Sequence, residues 1–156
     1  MAQQPNQQSR PNPQRREEAP RQQADTGWRG NIRFASPNAE LFNNIAKEAA
    51  QGVARADPSL NKPTQLRRFY DELLLWETRV SQQPLDAQAA KFAECLPFIR
   101  MLNAKAAYAD GRKLVDRTFV DLMQHTLSEV TNPQTLTTCK YFWEAFMGFY
   151  KQERQD

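Results

Sequence analysis

An all-α protein, a compact bundle of about five helices with a disordered N-terminal tail, is predicted by three observations. Beyond about residue 38, apolar residues recur three and four positions apart. No β-branched alternating run occurs, so strands have no support. The first 30 residues hold seven Gln, four Pro, five Arg and a single large aromatic, Trp28. Such a segment buries too little apolar area to offset its ordering entropy. The expected division is a disordered Gln/Pro/Arg-rich tail over 1–33 and a helical domain over 34–156, long enough to hold a core without staples.

The first helix is expected over 38–56, with Ser36 as N-cap, Pro37 at the first helical position and Asp57-Pro58 as its stop. Leu41, Ile45, Ala49 and Val53 form a thin apolar stripe. The second spans 64–82, capped by Thr64, with a broad face of Leu66, Phe69, Tyr70, Leu73, Leu74, Trp76 and Val80. The third runs from Asp86 to Gly111 and carries Ala89, Phe92, Ala93, Leu96, Ile99, Leu102 and Ala106. Pro97 should kink or break it, because proline removes a donor and crowds the preceding turn. Gly111 suits the C′ position. The fourth covers 113–129 with Val115, Phe119, Leu122, Met123 and Leu127. Asn132-Pro133 opens the fifth, which runs to about 153 with Leu136, Cys139, Trp143, Phe146, Met147 and Tyr150.

Several function classes find no residues to carry them. Cys95 and Cys139 are too few for a disulfide framework and have no CxxC spacing or partnering histidines for zinc; they read as packing thiols in a reducing compartment. His125 stands alone in its helix, with no nucleophile or acid–base partner beside it. Nucleotide-binding glycine loops, GxSxG and HExxH are absent. Asp71, Glu72 and Glu77 do not make a tight cluster on one helical face. No enzyme activity, metal or cofactor is expected. The N-terminus lacks an apolar signal core, and no apolar run reaches membrane-spanning length, so a cytoplasmic protein is expected.

The formal net charge is +3. Residues 1–30 contribute +2 of it, so the remainder is close to neutral and a polyanion site must come from local clustering. One cluster is KPTQLRRFYDELLLWETRV, residues 62–80. Its cations Lys62, Arg67 and Arg68 stand at the positive end of the helix dipole, where acids are usual. Unpaired first-turn N–H groups with arginine beside them make an anion site. The same residues also allow ordinary i, i+4 pairs, Arg67 with Asp71 and Arg68 with Glu72. The second cluster, LPFIRMLNAKAAYADGRKLVDRTF over 96–119, carries Arg100, Lys105, Arg112, Lys113 and Arg117 against Asp110 and Asp116. Tyr108 lies among them, where a base can stack while cations hold phosphates.

Taken together and in this order, KPTQLRRFYDEL and LPFIRMLNAKAAYADGR, followed by a helix with a central Phe, resemble the small subunit of type III-A CRISPR effector complexes, the Csm small subunit family. The resemblance covers about residues 60–150. It implies a small helical protein without an active site. Several copies would stack head to tail beside the backbone subunits that hold the guide RNA, lining the channel where target RNA pairs with the guide. RNA cutting would belong to the backbone subunit; DNA cutting and cyclic oligoadenylate synthesis would belong to the large subunit. The implied partners are guide RNA, target RNA, the other effector subunits and copies of the chain itself, with no membrane and no small-molecule substrate. Lys62, Arg67, Arg68, Arg100, Lys105, Tyr108, Arg112 and Lys113 are the expected RNA-binding residues. Exposed apolar residues such as Trp76, Phe98 and Phe149 would serve contacts between copies. The tail does not align with the family core, and Asp110 departs from a wholly basic turn. The competing expectation is a helical protein–protein adaptor without nucleic-acid binding, which the nearly neutral body also fits.

Overall fold

A computed structural model describes residues 27–155. Residues 1–26 of the tail expected over 1–33 lie outside them. Six α-helices follow one another: α1 Ala46–Ala54, α2 Pro63–Ser81, α3 Leu85–Arg100, α4 Leu102–Gly111, α5 Arg117–Ser128 and α6 Pro133–Glu153. α3 and α4 are separated by Met101 alone, so the bundle has the expected five rods. No strand occurs among the described residues, and no described helix is long and apolar enough to cross a membrane.

α6 is the central rod and packs against α1 and α2, while α2 also meets α3 and α4 lies on α5. Its inward stripe of Leu136, Cys139, Trp143, Phe146 and Tyr150 is buried, at the spacing that sets one helical face. Trp143 meets Phe119, Phe142 and Phe146 with ring centroids 4.9–6.0 Å apart. Its indole N–H donates to Thr126 Oγ1 at 3.2 Å, so this large side chain is buried without an orphaned donor. Phe69 reaches the same cluster through Phe119.

The helix ends correct several sequence expectations. α1 is entered through a π-helical turn, Leu41–Ile45, whose N-cap is Glu40 and not Ser36. Glu40's carboxylate accepts the Asn44 N–H, a bond that a Ser36 cap placed four residues earlier cannot supply. α2 starts at Pro63 with Lys62 in the N-cap position and no side-chain cap, so Thr64 lies inside the helix. α3 runs through Pro97 and is interrupted one turn later, although Met101 N–H still reaches Pro97 O at 3.0 Å. Ala89 and Ala93 are exposed; α3 needs only the narrow stripe Phe92, Cys95 and Ile99 to meet its neighbours. Gly111 is the last residue of α4 and has no positive φ. Lys113, with φ 57°, takes the left-handed position instead. The Lys113 N–H bonds to Asp110 O and the Leu114 N–H to Ala109 O, both at 2.9 Å. That pattern is a Schellman motif, and it forces C′ to be Lys113. The fourth helix consequently begins at Arg117, after the Asp116 cap, and not at 113. At Asn132 the expected cap is present as a full capping box with Thr135.

Part of the stretch assigned by composition to the tail is packed. Trp28 and Ile32 are buried in the core with Phe34, the first residue of the expected domain, and residues 28–34 form a strap along α5. Two α5 residues and the α5 C-cap Glu129, at four-residue spacing, hold it. Asp121 pairs with Arg29 at 3.3 Å, His125 Nε2 meets Ile32 O at 3.1 Å, and Glu129 pairs with Arg33 at 3.2 Å while accepting the Phe34 N–H. His125 thus has the structural role expected of it. Cys95 and Cys139 are buried free thiols, and burial pushes the Cys139 thiol up.

Asn61, between α1 and α2, is buried with φ 53°. Its amide group donates to Val53 O at 3.1 Å and Asp116 Oδ1 at 2.8 Å, while its Oδ1 accepts the Asp116 N–H at 2.9 Å. Its backbone N–H donates to Leu114 O at 3.0 Å, and its carbonyl accepts the Tyr150 hydroxyl at 2.5 Å. Asn61→Ala should destabilise the fold by about 3 kcal/mol in urea unfolding, since buried partners are left unpaired and alanine resists this backbone conformation. Asn61→Gly should lose about 1 kcal/mol less, because only the side-chain bonds disappear; equal losses would mean the left-handed backbone is not strained. Burial holds the Tyr150 hydroxyl up at about 12 against an ordinary 10. A raised folded-state value stabilises fully below about pH 10 and loses that contribution as pH rises toward 12. Tyr150→Phe should therefore show a shallower stability loss across that window than the parent chain, measured by unfolding at each pH.

Candidate nucleic-acid interface

The Asn61–Leu114 backbone bond joins the two basic clusters of the sequence. Lys62 follows Asn61, and Lys113 precedes Leu114, so the start of α2 and the α4–α5 link meet with an exposed lysine on each side. α4 and α2 are also bridged at the surface, where Lys105 Nζ contacts both carboxylate oxygens of Glu72 at 2.6 and 2.8 Å. Between these points the α4 surface carries Tyr108 and Arg112. Arg112 donates to the Tyr108 hydroxyl at 3.0 Å, and its guanidinium carbon lies 5.8 Å from the ring centroid.

The two possible i, i+4 pairs of α2 part company. Arg67 pairs with Asp71 at 2.8 Å and its guanidinium lies over Tyr70. Glu72 is taken by Lys105, which leaves Arg68 without an ion-pair partner among the described residues. Arg67 and Arg68 border an open groove of about 760 Å³ between the start of α2 and the last turns of α6, shared with Tyr70, Glu144, Met147 and Lys151. Burial, with Glu144 nearby, pushes the Tyr70 hydroxyl up and keeps it a neutral donor. The helix start itself offers little: Pro63 has no N–H, and the Gln65 and Leu66 N–H groups turn back to Lys62 O. Positive charge at this end is therefore carried by side chains more than by free backbone donors.

Arg100 stands apart from the other expected residues. Its guanidinium donates to Val130 O at 3.2 Å, at the C-terminal side of α5, about 18 Å of helix from the Asp116 end. Arg117 pairs loosely with Asp110 at 3.5 Å, so the acid in YADGR is partly neutralised. Lys62, Arg68 and Lys113 are exposed and have no ion pair among the described residues. No group of three or more potential metal ligands occurs among the described residues.

Asn61 is the site residue that charge and aromatic patterns missed. Its one signal was an Asn just after an Asp-Pro turn and just before Lys-Pro, since Asn is the residue after glycine most at ease with positive φ. Its partner Asp116 lies 55 positions away, and no spacing rule connects the two.

A left-handed lysine is costly where glycine would be at ease. Lys113→Gly should raise stability by about 0.5–1 kcal/mol in thermal or urea unfolding; a destabilised variant would show that the lysine stem packs and that the backbone carries no strain.

The profile of the family Csm2 Type III-A matches residues 36–156. No curated protein and no solved structure matches the chain.

Proposed function

We propose a role that starts from one premise: the chain belongs to the Csm2 family and is a subunit of a type III-A CRISPR complex. In that complex it acts as a non-catalytic RNA-binding scaffold, stacking in several copies and lining the channel for guide and target RNA through sugar-phosphate contacts. The observation that carries this reading is the convergence of Lys62 and Lys113 across the Asn61–Leu114 bond, with Arg67, Arg68 and Arg112 on the adjoining helices. Cations on phosphates position a nucleic acid without reading its sequence. A subunit that serves any guide needs that property, since base pairing supplies specificity.

The strain at Lys113 supports the same reading. Left-handed non-glycine residues concentrate where a site needs their side chain. A lysine kept at the C′ position of α4 holds a charge beside the start of α2 that glycine cannot. Lys105 contributes through its bridge to Glu72, which fixes α4 against α2, and Tyr108 orients Arg112. Arg100 is assigned to the α5–α6 link through Val130 and not to RNA.

Lys62→Ala with Arg67→Ala should lower the salt slope of RNA binding by about two released counterions. Arg100→Ala should leave the slope unchanged. Equal slopes in all three proteins would remove Lys62 and Arg67 from the phosphate contacts. Absence of RNA affinity at about 50 mM salt, both free and in the assembled complex, would favour a protein–protein adaptor.

A further inference from the structure

One exposed face of the bundle adds apolar rings to the cations above. Phe98, Met101, Lys105, Tyr108 and Arg112 are spaced by three and four along α3 and α4, which puts them on one face. The hydrogen-bond ladder carries that face across the interruption, since Met101 N–H reaches Pro97 O and Lys105 N–H reaches Met101 O. Phe98, Met101 and Tyr108 are 47%, 44% and 66% exposed. Both rings are held from behind. Phe98 stacks on Trp76, centroids 5.2 Å apart and planes 15° from parallel, and Arg79 lies 4.8 Å from the Trp76 centroid. Tyr108 is fixed through its hydroxyl by Arg112.

We propose that this face binds single-stranded RNA by stacking unpaired bases on Phe98 and Tyr108, while Lys105 and Arg112 sit beside its phosphates. The proposal rests on the RNA-binding reading above and adds a second mode of contact to it. Three features select this occupant. Phe98 is backed by Trp76 and the Tyr108 hydroxyl is tethered to Arg112, so less side-chain entropy is lost on binding than for free rings. The rings are about 15 Å apart along the helix axis, with the thioether of Met101, an adaptable apolar surface, between them. Cations interrupt the apolar residues, so the face complements a polyanion that also carries π-surfaces. A partner helix would require a continuous apolar seam. Stacking tolerates every base, so this contact does not conflict with a subunit that serves any guide.

The test uses the full chain and three probes of one length: a single-stranded oligouridylate, an abasic oligoribonucleotide, and duplex RNA. Trp28 and Trp143 are buried, so fluorescence quenching reports mainly on Trp76, behind Phe98. The oligouridylate should quench this emission and bind at least about fivefold tighter than the abasic strand or the duplex. Phe98→Leu, which keeps apolar volume and leaves Tyr108 to orient Arg112, should reduce that preference at least about twofold while leaving abasic affinity and its salt slope intact. Equal affinity of the parent chain for intact and abasic strands would overturn stacking and leave the phosphate contacts standing. Failure of all probes to bind would overturn both readings. A Phe98→Leu variant that keeps the preference but no longer co-purifies with the other subunits would assign the face to a protein partner and overturn the proposal.

Discussion

Asn61 is the point on which the arrangement of helices depends. One buried carboxamide and its own peptide groups tie the end of α1, the start of α2, the α4–α5 link, the cap of α5 and the last turns of α6. Such a hub is costly to leave partly satisfied, because buried polar groups lose water on folding and must recover those bonds internally. Here the carboxamide oxygen and nitrogen both find partners. Arg154 reinforces the region from the end of α6. Its guanidinium donates to the carbonyls of Ala54 at 2.9 Å, Leu60 at 2.5 Å and Ala56, closing the C-terminal turn of α1. Cationic donors suit these carbonyls because they lie at the negative end of a helix.

This polar frame also explains the reversed charge at the start of α2. The helix opens with Lys62 and without an acidic first turn. Its dipole is unfavourably placed for cations, yet the fold does not neutralise them all. Asp71 answers Arg67, while Glu72 is diverted across the seam to Lys105. The diversion bridges α4 to α2 at the surface and leaves Arg68 open beside the α2–α6 groove. A surface pair alone adds little stability; the Lys105–Glu72 pair matters mainly because it sets where the cations of α4 stand.

The division between core and surface follows. α6, with Trp143 at its centre, supplies rigidity, and the strap of residues 28–34 seals α5 from outside. The exposed cations and rings gather at helix ends and on the outer face of α3 and α4, where side chains do not have to serve the core.

The sequence by itself determined the helical class, the rods and nearly all of the core. Those follow from local periodicity, and the buried stripes of Leu66, Phe69 and Leu73 or of Leu136, Trp143 and Tyr150 are read directly from spacing. It also determined the family, through two motifs that remain recognisable without a structure. It located the cations but not their partners: Arg67 could meet Asp71 in sequence and does, Arg68 could meet Glu72 and does not. Trp28 and Ile32 looked like tail because composition averages over a window, whereas burial is decided residue by residue by what packs opposite. Only the tertiary structure decided that the neighbours of Lys62 and Lys113 bond to each other, that Lys113 and not Gly111 takes the left-handed turn, and that Arg100 reaches Val130. Each of these depends on hydrogen bonds between residues that helical spacing does not bring together, above all those of Asn61 to Asp116 and Leu114, and such bonds are fixed only when the helices have packed.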